Sequence, residues 1–424
     1  MLRTDSFKAR AFETRAFKAR TFETRTFKSS SFKTDKRKVN RINAHYDVVI
    51  LGGGPAGLAA AIAIRTANLN KHTNVSVLVV ERQSPGQERL GENCPPEIVL
   101  LLKQLGVAKE FYQDNHEPCP GYASVWGRPT PGYNDFIVNP LGPSWRLNRI
   151  AFDKMLAKRA EDCGAQITWS TRFIGTDIVP QTASHHAHTL HLTQGTDRHP
   201  QTVTAGFVID ATGSKARFAR TLNIQKTVDD QLFATVRFAH VASGKGSKQI
   251  QLEATQQGWC YQALLPEQKV VSMIVSEREI IPHLREGNHQ GFEEALATTT
   301  FVGPSVNKLE ITNPSYHSCA IYSGILPTLE GSNWMAVGDA ATSFDPISAQ
   351  GIYKGLSHGL LAAKKVKDWL ENNSSECSDY SQMLQKQYRV YQNNRIHMYS
   401  LEQRWRECDF WRKRIHTPPM NLAL

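Results

Sequence analysis

Gly52, Gly54 and Gly57 stand at G-x-G-x-x-G spacing directly after the apolar run Asp47-Val48-Val49-Ile50-Leu51. The pattern suits a dinucleotide. Gly52 permits a tight turn, Gly54 lets a pyrophosphate approach the backbone, and Gly57 lets the next helix sit close to the strand. Pro55 and Ala56 fill the loop, and the N–H groups at the head of an alanine-rich helix, Leu58 to about Thr66, face the phosphates. A second apolar run, Ser76 to Val80, ends in Glu81, an acid placed to accept from ribose hydroxyls.

Two distant segments bear on the same ligand. Asp210-Ala211-Thr212-Gly213 closes a strand whose end passes near the dinucleotide, and Gly338-Asp339-Ala340-Ala341 precedes Asp345-Pro346-Ile347-Ser348-Ala349-Gln350-Gly351. Asp339 can accept from a ribityl chain, and Pro346 can wall one face of a ring. The N–H groups of Gly351 and Ile352 open a helix where negative charge develops on a reduced flavin. Three separated signals therefore point to FAD rather than NAD.

The elements that must position these residues can be read from periodicity. A β-α-β unit spans the glycines and Glu81. A turn-rich loop, Arg89 to Pro96, leads to a helix over 97–105, and the Pro- and Gly-rich stretch 118–143 is expected to be irregular. An amphipathic helix over 150–163 precedes strands near 166–178, 188–194 and 202–210, which form a β-meander. Alternating segments at 232–241, 248–256, 259–265, 269–276 and 308–313 predict one antiparallel sheet with a helix at 291–298. The chain then returns to the nucleotide domain through 333–339 and a helix over 351–370, and ends in helices.

The expected fold class is α/β: a Rossmann FAD domain with an inserted, mainly antiparallel β-sheet substrate domain and C-terminal helices. Its divisions are a disordered basic extension (1–44), the first part of the FAD domain (45–230), the substrate domain (231–330), the FAD return segment (331–370) and terminal helices (371–424).

Of the net charge of +11, residues 1–44 supply +9, with thirteen Lys/Arg against four Asp/Glu. The remaining body is near neutral, so no nucleic-acid footprint is expected. In that extension Phe7, Phe12, Phe17, Phe22, Phe27 and Phe32 recur every five residues, a period that fits neither one helical face nor one strand face. No apolar run is long enough to span a bilayer, and no secretory h-region opens the chain. Seven scattered cysteines without a C-x-x-C pair point to a reducing cytoplasm and to no zinc site. His185, His186, His188, His191 and His199 cluster in the meander, where a solvated hairpin is expected rather than a metal centre.

Gly52 to Gly57, Glu81, Arg149, the Asp210 motif and Gly338 through Gly351 resemble the glutathione-reductase-type FAD fold of flavoprotein monooxygenases. The segment Gly91-Glu92-Asn93-Cys94-Pro95-Pro96 is similar to an element of the flavin-dependent halogenase and geranylgeranyl-reductase branch. With Trp126-Gly127 and the terminal Glu402, Arg404, Trp405, Phe410 and Trp411, it resembles the LodB/GoxB-type subgroup, which assists maturation of oxidases with a tryptophan-derived quinone. The resemblance covers 45–424. It implies a cofactor set of Gly52, Gly54, Pro55, Ala56, Gly57, Glu81, Arg82, Arg89, Arg149, Asp210, Gly338, Asp339, Gly351 and Ile352.

The halogenase pattern W-x-W-x-I-P is broken here: Trp259-Cys260-Tyr261 runs on to Leu265-Pro266, and no lysine has a halogenase context after the Gly91-Glu92 loop. Halogenation is disfavoured. Without a second glycine fingerprint, NAD(P)H must bind transiently or a separate reductase must supply electrons. With O₂, a reduced flavin yields an electrophilic oxygen that attacks electron-rich rings such as indole. The expected function is a monooxygenase that hydroxylates a tryptophan in a partner oxidase during quinone biogenesis. Asp345, Pro346, Gln350, Cys94 and Trp126 are the candidates beside the ring, and Cys94 reads equally as a packed thiol. Competing expectations are a hydroxylase, halogenase or reductase of a free aromatic or isoprenoid molecule, and a non-catalytic flavoprotein chaperone.

Overall fold

The computed structural model describes residues 42–67, 74–177, 187–195, 200–372 and 379–415. The pentapeptide repeats, His185, His186 and His199 lie outside the described residues.

The apolar run forms the strand His45–Leu51, parallel to Val77–Val80 on one side and Gln201–Asp210 on the other. Val48 to Leu51 are all buried, because helices or neighbouring structure cover both faces of a parallel sheet. Gln166–Thr168 extends one edge in the parallel sense. Gln201–Asp210 is forked. Its first half pairs antiparallel with His188–Gln194, which pairs with Thr171–Thr176, while its last residues pair parallel with Trp334–Ala336. The meander expected from sequence is therefore present, with one correction. The strand expected over 166–178 breaks at Ser170, where φ is +53°, into Gln166–Thr168 at one end of this sheet and Thr171–Thr176 at the other.

The first helix is Pro55–Thr66, with proline in its first turn, where its missing N–H is tolerated. The long helix Gly351–Asn372 crosses it at close range. A Cβ at Gly359 would fall 2.5 Å from Ala56 O and 2.7 Å from Ala59 Cβ, so only glycine permits this approach.

The second sheet has eight strands among the described residues. In spatial order they are Thr342–Ser343, Leu309–Ile325, Thr227–Gly244, Lys269–Ser276, Gly258–Leu265, Ile250–Thr255, Gly121–Val125 and Gly132–Asp135. Two expectations are corrected here. The stretch 118–143 supplies the two strands at one edge, Gly121–Val125 showing strict buried/half-buried alternation that flanking prolines and glycines hide in the sequence. The strand expected to stop at 313 runs from Leu309 to Ile325. Asn313 (φ +51°) and Pro314 are accommodated as an irregularity in register between the pairs His240–Thr312 and Phe238–Ser315. The expected helix at 291–298 is the second half of Ile281–Ala297, which is interrupted by non-helical residues 286–289.

A small third sheet joins Asn93–Cys94, Ser144–Arg146 and Glu117–Cys119. At the C-terminus, the helices Asp379–Ser400 and Asp409–Ile415 bring Tyr399, Phe410 and Trp411 into one apolar cluster with Trp259 of the large sheet. Among the described residues no helix is long and apolar enough to cross a membrane.

Candidate active site

Three parallel strands end together. Beyond Leu51, Asp210 and Ala336 the chain turns, and these turns, with the inner face of the eight-stranded sheet, enclose a cavity of about 690 Å³. Gly54, Pro55 and Ala56 line it at the helix start, which carries no capping side chain. Gly52 has φ +119°, and a Cβ there would lie 2.2 Å from Ala211 O. A Cβ on Gly57 would lie 1.9 Å from Gly52 O, whereas one on Gly54 would meet only Arg89 Nη1, at an ordinary contact distance of 3.6 Å. Gly338, Asp339, Gly351, Ile352 and Arg149 also border the cavity.

Other cofactor candidates stand one layer back. The Glu81 carboxylate accepts from the N–H groups of Gly53 (2.7 Å) and Gln83 (2.8 Å) and pairs with Arg89 (3.3 Å), so it braces the glycine turn. Arg89 also reaches Asp153 at 3.7 Å, and Arg82 is exposed. Arg149 donates to the carbonyls of Leu90 and Gly91 and pairs with Asp153, which pins the loop carrying Glu92 against the cavity. Asp210 is fully buried, and burial pushes its carboxyl up. It accepts from Thr212 N–H and O–H and from the N–H groups of Phe218 and Ala219. That carboxylate shapes the turn; Ala211 and Gly213 are what the turn presents to the cavity.

Asp339 does face the cavity and is coupled to two lysines that sequence reasoning passed over. Lys354 Nζ lies 2.8 Å from Asp339 Oδ1 and 4.1 Å from the centre of the Phe344 ring, and it also donates to Thr342 O. Lys226 donates to Asp339 O and to Ser343 Oγ. Burial pushes Lys226 down to about 7 and lowers Lys354 as well, with Asp339 opposing both shifts. The surroundings disfavour charge on Asp339, but the lysines outweigh them and hold its carboxyl below the usual range. His358, pushed down to about 3 by burial, is neutral and accepts from Gly338 N–H at 3.2 Å, fixing that turn.

The segment Phe344 to Gln350 forms a wall. Asp345, Pro346 and Gln350 border the cavity, but the Asp345 carboxylate points into the protein. It accepts from Ile347 N–H (3.0 Å) and Tyr399 O–H (2.8 Å) and pairs with Arg395 (3.4 Å). Asp345 is thus the anchor of the wall. On the far side lies a second cavity of about 420 Å³, sharing Phe344, Ile347, Ser348, Gln350 and Met398 with the first.

Cys94 and Trp126 are not brought to the cavity. Cys94 is fully buried and burial pushes its thiol far up, so it is a packed side chain. Trp126 donates its indole N–H to Met398 O at 2.7 Å and stacks edge-on against Tyr399 and Trp411. Trp259 and Tyr261, noted in the sequence only as departures from a halogenase pattern, do line the cavity; their i, i+2 spacing on one strand was the available signal. In the meander, His188 meets Asn333 and His191 meets Asp177.

The glycine-only turns, the uncapped helix start and the chamber size fit a flavin dinucleotide. Comparisons with known proteins agree. Residues 45–380 match the FAD binding domain family. LodB of Marinomonas mediterranea, called a FAD-dependent oxidoreductase, is 26% identical over 370 residues, which cover 87% of this chain and 96% of that protein. The myxobacterial chondrochloren halogenase CndH superposes with a TM-score of 0.74 at 20% identity, covering 88% of this chain and 86% of CndH. The peptidyl tryptophan dihydroxylase QhpG, essential for tryptophylquinone cofactor biogenesis, superposes at 0.68 with 19% identity, covering 89% and 80%. The chain belongs to the FAD binding domain family and is a flavin-dependent oxidoreductase.

Proposed function

We propose that this flavoenzyme oxygenates a tryptophan side chain of a partner oxidase during formation of its quinone cofactor, in the cytoplasm. The observation that carries the reading is the second cavity. Its outer margin is a stripe of exposed residues four apart on one helix, Lys386, Val390, Asn394 and Met398, so it is bordered by about three turns of one exposed helix face, a surface along which a polypeptide could lie. Its inner end is the wall shared with the flavin chamber. The similarity to LodB and to the tryptophan dihydroxylase QhpG supports the same substrate class.

In this reading Gly52, Gly54, Gly57 and the helix start hold the pyrophosphate, Asp339 takes the ribityl chain, and Gly351-Ile352 face the ring. Bound FAD, once reduced by NAD(P)H or a separate reductase, would supply electrons to O₂ and an electrophilic oxygen to the substrate. Phe344, Pro346 and Gln350 hold the substrate ring at the wall and keep bulk water away. Lys354, which lines the second cavity and pairs with Asp339, would hold that carboxylate in place for the ribityl chain.

Intact-mass and peptide mass spectrometry of a co-expressed candidate partner tests this. One or two added oxygen atoms on a single tryptophan, only when this chain is present, is the expected result. A partner that matures equally with a variant that binds FAD but cannot be reduced would move the assignment to a chaperone.

A further inference from the structure

Glu92 is the acid of the Gly91–Cys94 loop, and nothing in its motif marks it for chemistry. It is 7% exposed, and its Oε1 has no hydrogen-bond partner. It borders two spaces at once: the 690 Å³ flavin chamber and a small cavity of about 30 Å³. The smaller space exceeds the ~10–15 Å³ needed to hold a water. Its rim includes Glu88 and Glu267, whose side chains are about half exposed, so water reaches it from solvent.

The cations nearby are committed elsewhere. Arg149 spends its two Nη atoms on the Leu90 and Gly91 carbonyls and on Asp153, Arg89 pairs with Glu81 and Asp153, and Lys269 with Glu88. Of the other titratable neighbours, Tyr261 is half-buried and Cys94 fully buried, and desolvation holds both protonated. A carboxyl group therefore stands between water and the chamber without a counter-ion locking either protonation state.

We propose that Glu92 is a proton relay that carries protons from the small water-sized cavity to the flavin chamber. The protonated carboxyl gives its proton to an acceptor in the chamber and becomes a carboxylate. It then takes a proton from the adjoining water, which is replenished from bulk solvent; one proton moves inward and no electron moves. Burial pushes the group up to about 7, Glu88 adding to the rise and Arg149 opposing it, so both forms are accessible near neutrality. The inference requires bound flavin but not any particular substrate ring.

The test uses the FAD-loaded full chain and needs no substrate. Difference infrared spectroscopy from about pH 5 to about pH 9 follows protonated-carboxyl bands, and photoreduced protein is mixed with oxygenated buffer across the same range. A carboxyl band that disappears near neutrality in the native chain and is missing in Glu92→Gln is expected. The reoxidation rate should inflect at the same pH, with the variant losing the inflection and slowing by about tenfold or more. Glu88→Gln, which removes a negative neighbour and leaves Glu92 in place, should keep both the band and the inflection but move them to lower pH. A native protein with no carboxyl titrating in that range overturns the proposal, as does a Glu92→Gln protein that keeps FAD, rate and inflection. If Glu92→Gln fails to hold FAD, the native infrared titration and Glu92→Asp, which must retain a titrating carboxyl, decide the matter.

Discussion

Glu92 and Asp345 both border the flavin chamber, and their surroundings divide their roles. Asp345 meets a guanidinium, a phenol and a backbone N–H, so its carboxylate serves as a structural pin. Replacing it with Asn leaves Arg395 short of one partner, and a loss of about 3 kcal/mol of stability in urea unfolding is expected. Glu92 is linked to pH instead. Its folded-state value, about 7, lies above the usual carboxylate range, so the folded protein binds the proton more tightly than the unfolded chain does. The native chain therefore loses stability as pH rises from about 4.5 to about 7, and Glu92→Gln escapes that loss. Thermal melts should show the variant gaining on the native chain across that window, by about 3 kcal/mol above neutrality. Cys94, buried beneath the same loop, should remain unmodified by a thiol reagent until the protein unfolds, as mass spectrometry of labelled protein would show. The glycines, Asp339 and Gly351 were legible because their task is written in local spacing. Glu92, Lys226 and Lys354 were not: what makes them notable is burial and the neighbours supplied by distant segments.

Among the elements, the tightest constraint is the crossing of Pro55–Thr66 and Gly351–Asn372. Gly359 meets the backbone of Ala56 and Ala60, which cannot yield as a flexible side chain would. Gly359→Val should cost about 1–3 kcal/mol and release FAD, because it displaces the helix that opens at Gly351; urea midpoints and bound-flavin absorbance would report both effects. Periodicity revealed the long helices and the central strands of both sheets, whose apolar residues face a core on a regular beat. It missed Gly121–Val125 because a five-residue strand between prolines and glycines offers too few repeats. It also cut Leu309–Ile325 short at Pro314, since a bulge that absorbs a proline depends on the partner strand.

For the whole molecule, the two cavities draw differently on the chain. Apart from Met398, the flavin chamber is built within 45–380, the part that matches the family, whereas the outer margin of the second cavity, Met383 to Met398, lies just beyond it. Placing charge on the exposed stripe, as in Val390→Glu with Asn394→Glu, should abolish oxygen addition to the partner while FAD content stays at the native level. Co-expression followed by peptide mass spectrometry measures the first, and absorbance of the purified protein the second. The two ends are nonetheless joined, because the Asp345 carboxylate inside the family-matched part is gripped by Arg395 and Tyr399 from outside it. Sequence drift in the terminal helices is thereby transmitted to the partition between the chambers while the nucleotide cradle stays intact. Transplanting that terminal stretch between relatives, with its arginine and tyrosine kept in place, offers a way to retarget the enzyme without redesigning its redox half.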